Sequence, residues 1–239
     1  MKLIIDIGNR LVKVALFNNK ELIKSTTFFE CSLSNISKFV LEQKVSRMII
    51  SSVKKIDEKT LAVIKEYKGL VFDHQTKTPI TVKYKTPETL GKDRLAGIVG
   101  ASYLYGGKDV VVFDCGTCLT IDVVTAKKEY IGGRISPGLM MRYNALHKFT
   151  DKLPRCDFVN SYNHFIGDDT ISSINSGVQQ GIIEEITGTI TNFRKENKDI
   201  VVILTGGDCF FFEKALKNTI FANPFLVMIG LNEILDYNE

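Results

Sequence analysis

Residues Val110 to Asp122 read VVVFDCGTCLTID. A run of β-branched and aromatic residues carries the chain to Asp114, and Gly116-Thr117 turns it into a second β-rich run, Leu119 to Val124. The stretch predicts a strand, a tight turn and a strand, with a carboxylate at the mouth of the turn. The N-terminus repeats the arrangement. Leu3-Ile4-Ile5 leads to Asp6-Ile7-Gly8-Asn9, and Val12-Lys13-Val14-Ala15-Leu16-Phe17 returns to a turn at Asn18-Asn19. The unit strand, Asp-x-Gly-(Asn or Thr), strand thus occurs twice, about half a chain apart, which is the period of a duplicated domain.

A Gly-containing turn lets backbone N–H groups converge on phosphate oxygens, and an Asp beside it can hold a hydrated Mg²⁺ that the phosphates share. One such turn is an ordinary hairpin. Two copies, each ending a buried-type strand, point to a nucleotide triphosphate clamped between two domains.

The 239 residues are 44% hydrophobic, enough for one large or two modest cores. The 31 basic and 27 acidic residues are spread along the chain, and basic runs stop at pairs such as Lys54-Lys55 and Lys127-Lys128. This distribution argues against a nucleic-acid face and against a membrane-surface helix. No uninterrupted apolar run reaches about 18 residues, and MKLIIDIGN enters a strand directly, so a soluble, cytoplasmic protein is expected. The five cysteines show no disulfide framework. Cys115 and Cys118 form a C-x-x-C on a hairpin, without a second pair at zinc spacing, and are read as small apolar residues beside the turn.

In chain order, a helix is expected behind Ser34 as N-cap, a strand over Arg47 to Val53, and a helix from Asp57 to Tyr67 with Leu61 and Ile64 inward. Strands follow at Gly69 to Phe72 and Ile80 to Tyr84. Pro87 breaks the chain before Leu90-Gly91-Lys92-Asp93-Arg94, and the small residues of Leu95 to Ala101 suit a tightly packed helix. Asp93 and Arg94 then lie in its first turn. A carboxylate there is favoured as an N-cap, whereas a guanidinium gains nothing from the dipole and matches an anionic ligand. Capping and catalysis both remain open for Asp93 on these residues alone.

Tyr105-Gly106-Gly107-Lys108 is the expected seam between a first domain, 1–107, and a second, 108–239. Glu129 to Ile135 predicts a strand, and Pro137-Gly138 opens a helix over Leu139 to His147. A long apolar stripe runs Ile171, Ile174, Val178, Ile182, Ile186, Ile190, Phe193, capped by Asp168 or Asp169, and reads as core or dimer face. Gly177 and Gly181 within it suggest close packing. Ile200 to Leu204 ends in Thr205-Gly206-Gly207-Asp208, a strand-to-helix turn where a nucleotide can rest. Pro224 opens a last helix.

Taken together, Asp6-Ile7-Gly8-Asn9, Gly91-Lys92-Asp93-Arg94, Asp114-x-Gly116-Thr117-x-x-Thr120-x-Asp122, Gly132-Gly133-x-Ile135-x-Pro137-Gly138 and Thr205-Gly206-Gly207-Asp208 resemble the type III pantothenate kinase family, in order and over essentially the whole chain. The Gly-x-Asp-Arg element is the specific one. The others alone resemble the wider superfamily of acetate and sugar kinases and actin-like ATPases. The resemblance implies an α/β fold of two duplicated RNase H-like domains with mixed sheets flanked by helices. It also implies a homodimer with the pantothenate site at the subunit interface, and ATP-dependent phosphorylation of pantothenate to 4'-phosphopantothenate in coenzyme A synthesis.

Carried onto these residues, it makes Asp93 the general base. Tyr84, Gly91, Lys92, Asp93 and Arg94 would bind pantothenate, with Thr170 reaching in from a partner subunit. Asp6, Ile7, Gly8, Asn9, Arg10, Leu11, Val12 and Lys13 would form the first phosphate loop; Gly116, Thr117, Gly206 and Gly207 would complete the ATP site. Asp6 would organise Mg²⁺, and Asp114 a monovalent cation, K⁺ or NH₄⁺. In the family the first loop usually continues with Thr or Ser, where this chain has Arg10. Rival readings are a non-catalytic regulatory relative, an ATPase switch of the actin type, and a sugar kinase.

Overall fold

Near-continuous apolar runs, buried on both faces, turn the first fifty positions into an open sheet. The computed structural model describes residues 1–41, 43–159, 164–216 and 220–239. Strands β1 (Lys2–Ile7), β2 (Val12–Asn18) and β3 (Glu21–Phe28) form an antiparallel meander, after which α1 (Leu33–Val40) returns the chain to β4 (Arg47–Ser52), parallel to β1. Helix α2 (Glu58–Tyr67) leads on to β5 (Leu70–Val71), giving the order β3-β2-β1-β4-β5. β3 lies outside the sequence expectations. Only its inward positions, Leu22, Lys24, Thr26 and Phe28, are half-buried, so an edge strand with two apolar contacts escaped a reading based on hydrophobic alternation.

Two helical expectations need correction. The N-cap of α1 is Ser32, whose Oγ accepts the Asn35 N–H, and not Ser34. In α2, Asp57 caps the helix through the Thr60 N–H, and the stripe facing the core is Thr60, Val63, Ile64 and Tyr67. Leu61 falls outside that stripe and is 44% exposed.

The chain continues through β6 (Thr81–Val82), a 3-10 turn at Pro87–Thr89, α3 (Lys92–Leu104), β7 (Val110–Cys115), β8 (Cys118–Val124) and β9 (Glu129–Pro137). Helices α4 (Leu139–Lys148) and α5 (Thr170–Glu196) precede β10 (Val201–Thr205), α6 (Cys209–Leu216), β11 (Phe221–Ala222) and α7 (Leu226–Tyr237). The second sheet has the order β11-β10-β7-β8-β9-β6, with β7 and β11 both parallel to β10. By contact the chain forms two units: Met1–Gly107 with Val124–Ile131 and Phe225–Glu239, and Lys108–Val123 with Gly132–Pro224. Each has its own core, one built around Leu3, Ile5, Val14, Leu16 and Ile50, the other around Phe113, Leu119, Ile182, Leu204 and Phe212.

In the second unit α5 begins with a capping box at Asp169, whose carboxylate accepts the Ser172 N–H at 2.7 Å. Those bonds from Ser172 hold the Asp169 carboxyl below the usual carboxylate range. Ile174, Val178, Ile182, Ile186 and Ile190 are core, whereas Ile171 is exposed. Among the described residues of this chain nothing packs on Gly177 or Gly181: a Cβ on either would meet nothing within 4 Å.

α7, although last in sequence, packs in the first unit against α3. A Cβ at Gly100 would lie 2.3 Å from the Leu226 carbonyl oxygen, and one at Gly230 only 1.7 Å from that of Ala96, so the helices touch backbone to backbone. Asp236 ties α7 to the sheet, reaching Lys2 Nζ at 2.7 Å, Lys20 Nζ at 3.0 Å and Arg47 Nη1 at 3.2 Å. Partial burial works against its ionisation, but the bonds and charges of Lys2 and Lys20 outweigh it and hold the carboxyl below its ordinary value. A depressed folded-state pKa contributes stability above the unfolded value of about 3.9, lost as pH falls through the folded value. Asp236→Asn is therefore expected to cost about 1.5–3 kcal/mol at pH 7, and the gap to wild type should narrow in thermal melts as pH is taken below about 3.9.

Candidate active site

Helix α3 starts at Lys92 with Gly91 as its N-cap, and Gly91 has no side chain to cap with. Asp93 is the second helical residue and not the N-cap. Its Oδ1 accepts the Arg94 N–H at 2.8 Å, which fixes the carboxylate's orientation. A Cβ on Gly91 would stand 2.7 Å from that Oδ1 and 3.4 Å from Arg94 Cδ, so glycine leaves the space in which both side chains sit.

Arg94 is 8% exposed. Its Nη2 donates to the Tyr130 hydroxyl at 3.1 Å, and its guanidinium lies 5.9 Å from the centre of the Tyr84 ring. Tyr84 and Tyr130 stack with centroids 5.9 Å apart and planes at 26°. The start of β9 delivers Tyr130 by pairing with β6 in the register Val82↔Tyr130, and the Lys83 N–H donates to the Tyr130 carbonyl at 2.9 Å. Tyr84, Gly91, Asp93, Arg94 and Tyr130 thus form one cluster, a planar cation over one tyrosine ring and hydrogen-bonded to the hydroxyl of another, beside a half-buried carboxylate.

The first hairpin belongs to the same unit. Asp6 is buried at the end of β1, opposite Lys13 in β2. The Gly8 N–H donates to the Leu11 carbonyl at 3.0 Å, closing a turn whose tip, Asn9, Arg10 and Leu11, is exposed.

The corresponding turn of the second unit is tighter. The Gly116 N–H donates to the Cys118 carbonyl at 3.0 Å, leaving Thr117 exposed at the tip. Asp114 sits at the end of β7 in register with Thr205, which ends the parallel β10. Gly206 follows at φ +89°, its would-be Cβ 2.4 Å from Asp114 Oδ1 and 2.5 Å from the Cys115 carbonyl oxygen. The Asp208 N–H donates to that same oxygen at 2.9 Å. Two glycine turns therefore meet at Asp114, at the carboxyl ends of parallel strands, where α/β sheets receive ligands. Gly138 braces the Gly116-Thr117 turn from outside, its N–H donating to the Thr117 carbonyl at 3.2 Å. Cys115 is buried with its thiol pushed well above its ordinary value by that burial.

Thr170, the first residue of α5, is exposed and lines a cavity of about 1020 Å³ with Arg142, Leu146, Phe149 and Ile174. Among the described residues, no group of three or more His, Cys, Asp and Glu side chains is gathered that could hold a metal ion.

The model of the type III pantothenate kinase family matches residues 2–192. A type III pantothenate kinase of Bacteroides fragilis is 42% identical over 100% of this chain and 99% of its own length. Relatives of the same name from Phocaeicola vulgatus and Christiangramia forsetii are 42% and 41% identical with the same coverage. The chain belongs to the type III pantothenate kinase family. Solved structures agree on the fold. One described as a Baf family transcriptional activator, from Campylobacter jejuni, superposes with a TM-score of 0.62 at 21% identity, over 99% of this chain and 98% of that one. A glucokinase from an Antarctic psychrotroph gives 0.51 at 12%, over 99% and 98%. The chain thus has the fold of the superfamily of sugar kinases and actin-like ATPases, built on two mixed α/β sheets.

The sequence pattern does not single out Tyr130. Its signal was present in the sequence as a tyrosine two residues before Gly132-Gly133, but only the pairing of β6 with β9 puts it against Arg94. The bracing of the turn by Gly138 is equally invisible in the sequence, where Pro137-Gly138 reads as the opening of a helix.

Proposed function

We propose that this chain carries out its family's reaction, ATP-dependent phosphorylation of pantothenate in the first step of coenzyme A synthesis, with Asp93 as the general base. The observation that carries the assignment is the Asp93–Arg94 pair. The N-cap position is filled by Gly91, among the described residues the Asp93 carboxylate is held through Oδ1, and the adjacent buried guanidinium lies over the Tyr84 ring and is hydrogen-bonded to Tyr130. Oδ2 is then available to take the proton of the substrate's primary hydroxyl, and Arg94 to bind the pantothenate carboxylate. Tyr84, Gly91 and Lys92 complete that subsite. Phosphoryl transfer asks for positioning and charge neutralisation more than for covalent chemistry.

The residues fit the cations that the family uses. Mg²⁺ normally takes one or two carboxylates and completes its shell with phosphates and water, and Asp6 beside the Gly8 turn offers that donor set. The close approach of Gly206 and Gly116 to Asp114 leaves a carboxylate flanked by backbone, suited to a monovalent cation, K⁺ or NH₄⁺. When bound, these ions neutralise charge on the transferring phosphoryl group. Asp6 to Lys13 of the first unit and Gly116, Thr117, Gly206 and Gly207 of the second are assigned to ATP, with Arg10 exposed at the loop tip as a cation for a phosphate.

Both units are assigned the RNase H-like type. The support is the order β3-β2-β1-β4-β5, a meander followed by a parallel strand on β1. The chain is read as a homodimer in which Thr170 completes the partner's pantothenate site. Its support is the exposed start of α5 and the open space beside Gly177, Gly181 and Gly188. Among the described residues no helix is long and apolar enough to cross a membrane, and the reaction is assigned to the cytoplasm.

The deciding experiment couples ADP release to a spectrophotometric readout, with and without pantothenate and with K⁺ or Na⁺. Turnover that needs pantothenate and falls in Na⁺ is expected. Turnover indifferent to pantothenate would mean an ATPase switch, and none at all a regulatory protein. A sharper prediction concerns Gly91→Ala. Its Cβ would collide with side-chain ends that can swing away, so the melting temperature should hold while kcat/KM for pantothenate falls roughly 10–100-fold.

A further inference from the structure

β4 places a side chain beside Asp6 that the reaction above leaves unused. Ser51 is in register with Asp6 across the parallel pair β1 and β4, and Asp6 is in register with Lys13 across β1 and β2. Register partners share a face of the sheet, so Lys13, Asp6 and Ser51 form a polar row across three strands. Two residues back on the same face the row is Ala15, Ile4 and Ile49, all fully buried and apolar. At the amino ends the same face carries Lys2 and Arg47, which pair with Asp236, whereas Asp6, Lys13 and Ser51 lie at the end of the sheet where β1 and β4 finish and a ligand is received.

Ser51 is 0% exposed, and its Oγ has no hydrogen-bond partner among the described residues. Ser52 shows the ordinary use of a serine at a strand end: its Oγ donates to the Lys54 carbonyl at 2.9 Å and accepts the Lys54 N–H at 3.1 Å. A buried hydroxyl without such a partner is a loss that alanine or valine would avoid. Ser51 makes no direct bond to Asp6, so whatever joins the two is a third group.

We propose that Ser51 is a positioning residue for the metal and phosphate site, its hydroxyl bonding a water of the Mg²⁺ shell that Asp6 organises. Mg²⁺ keeps several of its waters when bound. Adjacent strands are about 4.8 Å apart, the distance that one intervening water spans. The inference rests on the assignment of Mg²⁺ to Asp6.

The test is calorimetric titration of ADP into wild type, Ser51→Ala, Ser51→Thr and Asp6→Asn, each in excess Mg²⁺ and in EDTA, with ligand-free melting temperatures alongside. Ser51→Ala is expected to weaken binding in Mg²⁺ about 3–10-fold, the worth of one neutral hydrogen bond. Its affinity in EDTA should stay within about twofold and its melting temperature should not fall. Ser51→Thr, which keeps the hydroxyl, should restore the Mg²⁺ increment. An unchanged increment in Ser51→Ala, or an equal loss with and without Mg²⁺, overturns the proposal. Asp6→Asn separates the two readings. If it abolishes the increment while Ser51→Ala leaves it intact, Ser51 alone is misassigned; if it leaves the increment intact, the fault lies with Asp6.

Discussion

Asp93→Asn is expected to fold, to bind ATP, and to turn over roughly 10²–10⁴-fold more slowly than wild type. The amide keeps an oxygen where Oδ1 accepts the Arg94 N–H, so the first turn of α3 and the stacked Arg94 should be undisturbed. What it loses is the ability to accept a proton. Melting temperature and apparent ATP affinity should match wild type, with the whole deficit in kcat. A kcat near that of wild type would remove Asp93 from the role of base.

The second large effect is expected at Gly206. Here φ is +89°, a region L side chains rarely adopt, and a Cβ would lie 2.4 Å from Asp114 Oδ1, 2.5 Å from Cys115 O and 2.6 Å from Cys115 C. Two of those three atoms are backbone and cannot swing aside. Left-handed strain and overpacking together should cost Gly206→Ala roughly 2–5 kcal/mol, out of a total stability on the order of 5–15 kcal/mol. Melting should fall by roughly 5–20 °C at this chain length, and displacement of Asp114 should raise the apparent KM for ATP. Gly207 provides the control. Its Cβ would meet nothing within 4 Å, so Gly207→Ala should be close to neutral in stability. Equal damage from both substitutions would mean that close backbone approach is not the reason for the glycine.

The two corrections within helices have separate causes. In α1 the cap is set by which serine oxygen reaches a free N–H, and Ser32 Oγ reaches that of Asn35; in α2 the cap region stands as expected, but the face that meets the core, Thr60, Val63, Ile64 and Tyr67, leaves Leu61 outside it. The case of Gly177 and Gly181 is different. Glycine in a helix signals that a side chain is unwanted, but among the described residues of this chain nothing packs there, and sequence cannot tell packing within the chain from a face left for a second subunit.

Local chemistry alone determined both Asp-x-Gly hairpins, the alternation of strands and helices, and the place of Asp93 and Arg94 in the first turn of α3. Each depends on neighbours within a few residues: β-branched runs, turn glycines, a break at Pro87. Only the tertiary structure decided that α7 packs on α3 in the first unit, that Tyr130 holds Arg94, that Gly206 abuts Asp114, and that Ser51 stands beside Asp6. Those relations join residues from 36 to more than 100 positions apart, as with Arg94 and Tyr130, where |i−j| is 36. They come from strand register and backbone-to-backbone contact, which depend on which strands pair, and no short stretch of sequence contains that information.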